Sequence, residues 1–533
     1  MDLRPYQSQS VDAVYEAWNT NTSTVLVLPT GTGKTVVMAH VIDRMRRGRA
    51  MLIAHREELI WQGADKIQTV TREQPEIEMA EYRADRGSMF GHRPRVVVAS
   101  VQTLISGAGI GRMSRFDPHD FGVLLIDECH HATSKSYRAI IAYFRRNPDL
   151  KILGVTATPD RTDEEALGQV FDSVAFDYEI LDAINDGWLV PIEQHSVTVA
   201  GLDLSTVRTT AGDLNGADLA RVMEYEQTLH EIAGPTIEIV GDRKALVFAA
   251  SVAHAERLCE ILNRHKSECA RWVCGETPKE IRREMFADFA AKRFQYLVNV
   301  GVATEGFDDP SIDVVVMARP TKSRSLFAQM TGRGTRPLPG IVDAHNSAEA
   351  RVAAIAASVK PRCQVIDFVG NAGKHKLISV ADILGGNYSD EIVERTAKKA
   401  QEAGTSMDIV QALKDSEREL HEQHEREKEV ERQRRQSLRV RAQFVTQEVS
   451  PFDIFDIAPA RERGWDTGKQ PSEKMLALLD KQGIATDGLS YTAARQLISE
   501  ITGRWDKGQC SFKQARLLQR NGLPTDVSRD QAK

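Results

Sequence analysis

The sequence predicts an α/β chain with two parallel-sheet domains in tandem, a charged helical segment after them, and a small α-helical C-terminal module. Three observations carry this. Short β-rich runs alternate with helical stretches over roughly the first 190 residues, and the alternation restarts near residue 244. The runs are apolar on both faces, as strands of a parallel sheet are when helices cover both sides. Beyond about residue 388 the composition changes and charged residues take over.

The first domain, 1–190, has strand candidates at Thr24–Leu28, Ala50–Ala54, Val96–Ser100, Val123–Ile126 and Ile152–Thr156. Residues 191–243 are mixed and read as a bridging segment. The second domain, 244–387, has strands at Ala245–Ala249, Tyr296–Val300, Val314–Ala318 and Gln364–Phe368, with a helical stretch over Pro278–Lys292. Residues 388–465 form a charged helical spacer. Within it, Glu422/Arg426 and Glu431/Arg435 stand at the i,i+4 spacing that supports a solvated helix.

The last segment, 466–533, reads as a helical module with an internal repeat. Gln470-Pro471-Ser472-x-Lys474 … Leu478-Leu479 … Gly483 recurs as Gln509-Cys510-Ser511-x-Lys513 … Leu517-Leu518 … Gly522. In each copy the serine caps a helix, the leucine pair lies on its buried face, and the glycine ends it. Between the copies, Ser490 caps a helix with Ala494, Leu497, Ile498 and Ile501 on one face. Two copies are too few for a solenoid.

Bulk properties exclude several classes. Of 533 residues, 41% are hydrophobic and 27% charged, as in a soluble globular protein. No apolar stretch approaches ~18 residues, so no membrane span is expected. The opening Met1-Asp2-Leu3-Arg4-Pro5 lacks the basic-then-apolar pattern of a secretory leader. The six cysteines, at 129, 259, 269, 274, 363 and 510, form no CxxC pair. They read as reduced thiols of a cytosolic protein rather than as a metal site. A net charge of −6 gives nucleic acid no bulk attraction, so any such partner must be held in a local groove.

The chemistry is concentrated in three places. Leu28-Pro29-Thr30-Gly31-Thr32-Gly33-Lys34-Thr35 follows a strand and opens a helix, the setting of a phosphate-cradling loop. Gly31 and Gly33 let backbone N–H groups approach phosphate oxygens. Lys34 neutralises the β- and γ-phosphates, and Thr35 offers its hydroxyl to Mg²⁺. Leu28 stands where the general signature has its first glycine. Asp127 and Glu128 emerge at the end of the strand Val123–Ile126. A carboxylate suits Mg²⁺, which falls to Asp127, and leaves Glu128 to orient and deprotonate water. His130 offers a coupling to the second domain, whereas His131 reads as incidental. In Gln329-Met330-Thr331-Gly332-Arg333-Gly334-Thr335-Arg336, helical spacing puts Gln329, Arg333 and Arg336 on one face, with both guanidiniums aimed at one phosphate cluster. Together these parts describe a nucleoside triphosphatase that closes two domains on ATP.

The set resembles the superfamily 2 helicases and translocases, of the DEAD/DEAH type with a DECH box, over roughly residues 1–385. The resemblance implies two RecA-like domains. It implies that Gln7, in Arg4-Pro5-Tyr6-Gln7, reads adenine beside Arg4, and that Thr30 and Thr32 belong to the nucleotide site. Ile53–Leu59 is similar to motif Ia and Ser100–Leu104 to motif Ib, which implies nucleic-acid contacts for Arg56, Gln102 and Thr103. Thr156-Ala157-Thr158-Pro159 resembles motif III, which links hydrolysis to strand contact through Thr156 and Thr158. Asn299–Asp308 resembles motif V, which puts Thr304 on the strand's phosphates and Gly306 and Asp308 near the nucleotide. The Thr-Ala-Thr-Pro form and the Arg4-Pro5-Tyr6-Gln7 start resemble the DNA-directed branches, those of repair and restriction motors, and the run Val365–Asn371 with His375 is similar to RadD-type bacterial repair helicases and their phage-borne relatives. Those often carry a zinc-binding cysteine cluster that is absent here.

The resulting expectation is a cytoplasmic, Mg²⁺- and ATP-dependent DNA helicase or translocase acting on single-stranded or branched DNA, in repair, recombination or phage DNA metabolism. Alternatives are the motor of a restriction or defence complex and an RNA helicase. The C-terminal region is a candidate module for DNA structure or a protein partner, with Lys474, Lys513, Arg495 and Arg504 as contacts.

Overall fold

Strands form where the sequence is apolar on both faces, and they order themselves into two seven-stranded sheets. The structure is a computed structural model. It describes residues 3–45, 47–84, 94–107, 111–157, 167–210, 212–304, 307–373, 375–386, 388–438, 450–455, 457–460, 462, 464–466, 468–521 and 523–532; for 429–438 and 453 it describes the backbone alone. Two units arise. One is Met1–Gly386 with Thr396–Ala412, and the other is Asn387–Arg395 with Leu413–Lys533.

The first unit contains both sheets. The first sheet comprises β1 (Ser23–Val27), β2 (Arg49–Ala54), β3 (Glu76–Glu78), β4 (Val96–Ser100), β5 (Phe121–Asp127), β6 (Lys151–Thr156) and β7 (Ser173–Asp177). Its order is β3-β4-β2-β5-β6-β1-β7, with every pairing parallel. β1, β2 and β4 are buried at every residue, which explains their unbroken Val, Leu, Ile and Ala runs. Register then sets the site: Val27 lies opposite Thr156, and Asp127 opposite Val155. The loops after β1, β5 and β6 therefore leave the same edge side by side. In a parallel sheet that C-terminal edge is where ligands bind.

β8 (Ile192–Asp203) belongs to the second sheet, and the short β9 (Thr209–Thr210) and β10 (Asp213–Leu214) form a separate hairpin. The second sheet continues with β11 (Ala245–Phe248), β12 (Ala270–Cys274), β13 (Tyr296–Val300), β14 (Val314–Met317), β15 (Cys363–Asn371) and β16 (Met407–Asp408). Its order is β12-β13-β11-β14-β15-β8-β16, parallel except for the last pair.

Two expectations about the chain's organisation change here. Residues 191–243 do not merely bridge: β8 pairs with β15 along its length, and the helix Glu226–Val240 packs Leu229 and Ile232 into the same core as Val247, Val298 and Phe368. Buried polar residues in β8, Gln194 and Ser196, had disguised its two-residue period. Likewise Met407–Asp408, expected in the charged spacer, adds the edge strand β16.

The second unit is helical. The charged helix runs Ile409–Leu438 and buries Ile409, Leu413 and Leu420, and among its described side chains the solvated run is His421–Lys428. Glu422 pairs with Arg426 at 3.5 Å, whereas the side chains of Glu431 and Arg435 lie outside the described residues. The helices Glu473–Gln482, Tyr491–Asp506 and Phe512–Arg520 are capped by Ser472, Ser490 and Ser511 as expected. Their core also takes Ile454 and Phe455, so the module starts before residue 466. The leucine pairs do not both point inward. Leu479 is buried, but in the second copy Leu517 is exposed and only Leu518 packs against the core. Adjacent helical residues point about 100° apart, so only one of each pair can face the core.

Candidate active site in the cleft between the two sheets

The loop after β1 is built around an intrinsic constraint. Gly33 caps the helix Lys34–Arg44 at φ +83°, and a Cβ there would lie 2.6 Å from Gln7 Nε2. Gln7 needs that space. Its Nε2 donates to Thr32 O at 2.8 Å, its Oε1 accepts from Arg4 N at 2.9 Å, and Tyr6 Oη donates to the same Thr32 carbonyl at 2.7 Å. The segment expected to read adenine thus also braces the phosphate loop.

At the end of β5, Asp127 and Glu128 are both buried. Glu128 adopts φ +48°, an uncommon conformation for a residue with a side chain and one that clusters at functional sites. Its Oε1 accepts from Lys34 Nζ at 2.6 Å. Burial opposes its charge, but Lys34 and then His130 outweigh that and hold its carboxyl far below the usual range. Oε2 is buried without a hydrogen bond among the described residues, with His130 Nδ1 3.4 Å away. His130 Nδ1 also lies 3.3 Å from Thr156 Oγ1 at the end of β6. The loops after β5 and β6 are therefore joined through one imidazole. The His131 ring packs on His130 at 4.0 Å and edge-on to His55 at 4.6 Å, extending the chain of rings to the loop after β2. Thr158 and Gly306 lie outside the described residues.

The arginine segment departs from expectation. The helix Arg324–Thr331 ends at Gly332, so Gln329, Arg333 and Arg336 do not share a helical face. Gln329 is buried in that helix. Arg333 turns into its own domain and donates to Thr304 O at 2.6 Å and Phe307 O at 2.5 Å. Arg336 reaches the phosphate loop. A Cβ on Gly31 would lie 3.2 Å from Arg336 Cγ and 3.3 Å from its Nε, and Arg336 also pairs with Asp308. The two domains approach closely because position 332 is glycine, where a Cβ would be 2.7 Å from Thr30 Cβ. Lys360 anchors this segment by donating to Arg336 O at 2.8 Å and Pro310 O at 2.7 Å.

On the base side, reasoning from sequence missed a stack. Arg4 lies over the Trp188 ring at 4.6 Å and Arg351 over it at 4.0 Å. Tyr6 stacks on Tyr178 at 4.8 Å, and Arg4 reaches across the cleft to Asp343 at 2.8 Å. Trp188 and Asp343 stand in no recognisable spacing to the motifs. A lone tryptophan in a Gly-Trp turn was the only signal.

The residues expected on nucleic acid form one neighbourhood. Arg56 Nη1 donates to Gly301 O across the cleft at 2.9 Å, and the buried Thr304 hydroxyl donates to the same carbonyl at 3.1 Å. Gln102 Nε2 donates to His55 O at 2.9 Å, and the Thr103 hydroxyl accepts from Ala80 N at 3.1 Å. The Thr35 hydroxyl and the buried Asp127 carboxylate are hard oxygen donors of the kind that would suit Mg²⁺. Among the described residues, no group of three or more His, Cys, Asp or Glu is arranged for a metal, and no helix is long and apolar enough to cross a membrane.

Residues 1–161 match the family "Type III restriction enzyme, res subunit", and residues 226–337 match "Helicase conserved C-terminal domain". The motor core is of the superfamily 2 helicase type. Relatives of this core include "Putative ATP-dependent helicase IRC3" of Saccharomyces cerevisiae, 30% identical over 73% of this chain and 54% of that protein. "Putative mitochondrial ATP-dependent helicase irc3" of Schizosaccharomyces pombe is 30% identical over 63% and 55%. "Type I restriction enzyme EcoAI endonuclease subunit" of Escherichia coli is 26% identical over 62% and 44%. The chain thus spans about half the length of these relatives.

Proposed function

We propose that this chain is an ATP-dependent DNA motor, a helicase or translocase, that couples ATP hydrolysis to movement on or unwinding of DNA. The observation that carries it is the meeting of Lys34, Glu128 and Arg336, the first two from one sheet and the third from the other, at one glycine-rich loop. ATP brings the transferable phosphoryl group, and Mg²⁺, which Thr35 and Asp127 would hold, would supply charge neutralisation. Lys34 in turn leaves Glu128 for the phosphates, so its partner's carboxylate becomes free to orient a water and take its proton. Arg336 exchanges Asp308 for developing phosphoryl charge, a contribution worth about 10³–10⁵ in rate for such arginines. Arg333 acts indirectly, by holding the carbonyls of Thr304 and Phe307. His130 passes the state of Glu128 to Thr156. Arg56, Gln102, Thr103 and Thr304 line the strand's path, with contacts to phosphates and little sequence preference.

The test is ATP turnover with single-stranded, forked and duplex DNA and with RNA. Stimulation by DNA supports the proposal, and stimulation by RNA alone would replace it with an RNA helicase. A second reading, the motor subunit of a restriction or defence complex, is favoured by the first family's description and by the E. coli relative's name. Co-purification of a nuclease or methyltransferase subunit decides for it. Resemblance to RadD-type enzymes supports a task in repair. A cytosolic location accords with six buried, free cysteines. The fission-yeast relative's name points instead to mitochondria, and imaging of the tagged chain separates the two.

A further inference from the structure

Two aromatic rings stand on the surface beside the expected strand path, and neither belongs to the motifs. Trp61, on the helix Glu57–Thr71, is 37% exposed, and Tyr82, after β3, is 44% exposed. They meet edge to face at 5.3 Å. That geometry leaves the faces of the edge-on ring uncovered by its partner. Large exposed apolar rings are costly to leave in water, so the support given to this pair is informative.

The support is substantial. Tyr82 closes a turn in which Met79 and Tyr82 exchange backbone hydrogen bonds at 2.8 and 3.1 Å, with Ala80 at φ +49°. Arg112 clamps the turn from below, donating to Ala80 O at 2.7 Å and Tyr82 O at 3.1 Å. The fully buried Glu78 carboxylate receives Arg112, Arg115 and the Ala84 amide. Burying a carboxylate is unfavourable unless it is fully paired, and here the pairing fixes a surface turn rather than a core. Trp61 is oriented in turn by its indole N–H on Glu57 at 3.3 Å. The acidic Glu57 and Glu58 pair with Lys279 at 2.5 Å and Arg282 at 3.4 Å, which offsets their charge toward a polyanion. The turn is joined to the strand path through Ala80 N and the Thr103 hydroxyl, and Arg56 caps the helix that carries Trp61.

We propose that Trp61 and Tyr82 form a stacking platform for a nucleobase of the bound single strand. The proposal rests on the motor reading above and adds base contact to a path otherwise made of phosphate contacts. Every base offers a π-face, so the platform favours unpaired over paired nucleic acid without reading sequence.

The test measures binding of a fluorescent oligothymidylate, and of an oligomer of equal length made of abasic units, to the full chain. Trp61→Ala and Tyr82→Ala should each weaken oligothymidylate binding by about five- to a hundredfold, the range found for lost base stacking. Wild-type protein should bind the abasic oligomer correspondingly more weakly, and the alanine variants should bind it no worse than wild type does. Trp61→Phe and Tyr82→Phe, which keep a ring and the fold, should retain most of the affinity. Quenching of tryptophan fluorescence by oligothymidylate should be smaller in Trp61→Phe than in wild type. Alanine variants that bind oligothymidylate as wild type does, or that lose affinity equally for the abasic oligomer, overturn the platform while leaving the motor standing. Wild-type protein that binds neither oligomer overturns the motor reading itself.

Discussion

At the scale of single residues, the cleft stores its reactive groups in mutual pairs. Lys34 and Glu128 neutralise each other, and so do Arg336 and Asp308. Removing one partner therefore has two effects, lost chemistry and an orphaned charge. Lys34→Ala should lower ATP turnover by at least ~10²–10³, the cost of losing one preorganised donor to a transition state. Glu128→Gln should abolish turnover yet keep ATP affinity within about tenfold of wild type, measured with a fluorescent nucleotide, because Asp127 and Lys34 remain. Equal collapse of affinity and turnover would refute the division of roles between the two carboxylates. Lys34, Asp127 and Glu128 stood out in the sequence because the motifs that carry them follow β1 and end β5, strands whose apolar runs are unmistakable. What was not legible was their pairing. No spacing in the sequence says that Arg333 would turn back to Thr304 and Phe307 while Arg336 crosses to Gly31, because a helix that ends at Thr331 rather than at Arg336 changes which side chains share a face.

At the scale of elements, polar residues inside the second sheet set its behaviour with pH. Asp367 on β15 lies beside β8, where Gln194 Nε2 donates to its Oδ2 at 3.2 Å. Burial, with a smaller effect from Asp382, pushes its carboxyl up to about 7 from an ordinary value of 3.8. The native state therefore keeps a proton that the unfolded chain gives up. The associated stability is fully present below about pH 4 and is lost as pH rises through about 7. Asp367→Asn keeps the neutral form, so thermal melts should show the variant gaining on wild type between pH 5 and pH 8, by about 2–4 kcal/mol at most. No relative gain would mean that Asp367 is ionised in the folded protein. β8 was hidden from sequence reasoning by these same residues, since a strand with buried Gln194 and Ser196 lacks the apolar alternation by which strands are found. In the C-terminal unit the corresponding surprise is Arg504. It does not serve as a surface contact: it is buried and donates to Cys510 O at 3.3 Å and Thr525 O at 2.5 Å. Arg504→Ala should destabilise that unit by about 1–3 kcal/mol per carbonyl left unpaired, whereas Arg495→Ala, on an exposed position, should leave its melting unchanged.

At the scale of the whole molecule, the motor and the C-terminal helices divide at a different place from the one composition suggests. Charge content changes near 388, but β16 at Met407–Asp408 still belongs to the second sheet, because a strand of two residues leaves no trace in composition. A chain ending after Ala412 should keep its DNA-stimulated turnover, whereas one ending near 390 loses the edge strand beside β8 and should melt at a lower temperature. If the chain ending after Ala412 binds forked DNA or a protein partner as well as the full chain does at several salt concentrations, the C-terminal unit is not a recognition module. If the cleft works as proposed, nucleic acid drives it to hydrolyse ATP with an arginine delivered from the second sheet. The most direct test is steady-state ATP hydrolysis by wild type and Arg336→Ala, with and without single-stranded DNA. DNA should accelerate wild type many-fold, and Arg336→Ala should lose about 10³ or more of the stimulated rate. A variant that keeps DNA-stimulated turnover, or a wild type indifferent to every nucleic acid, would contradict it.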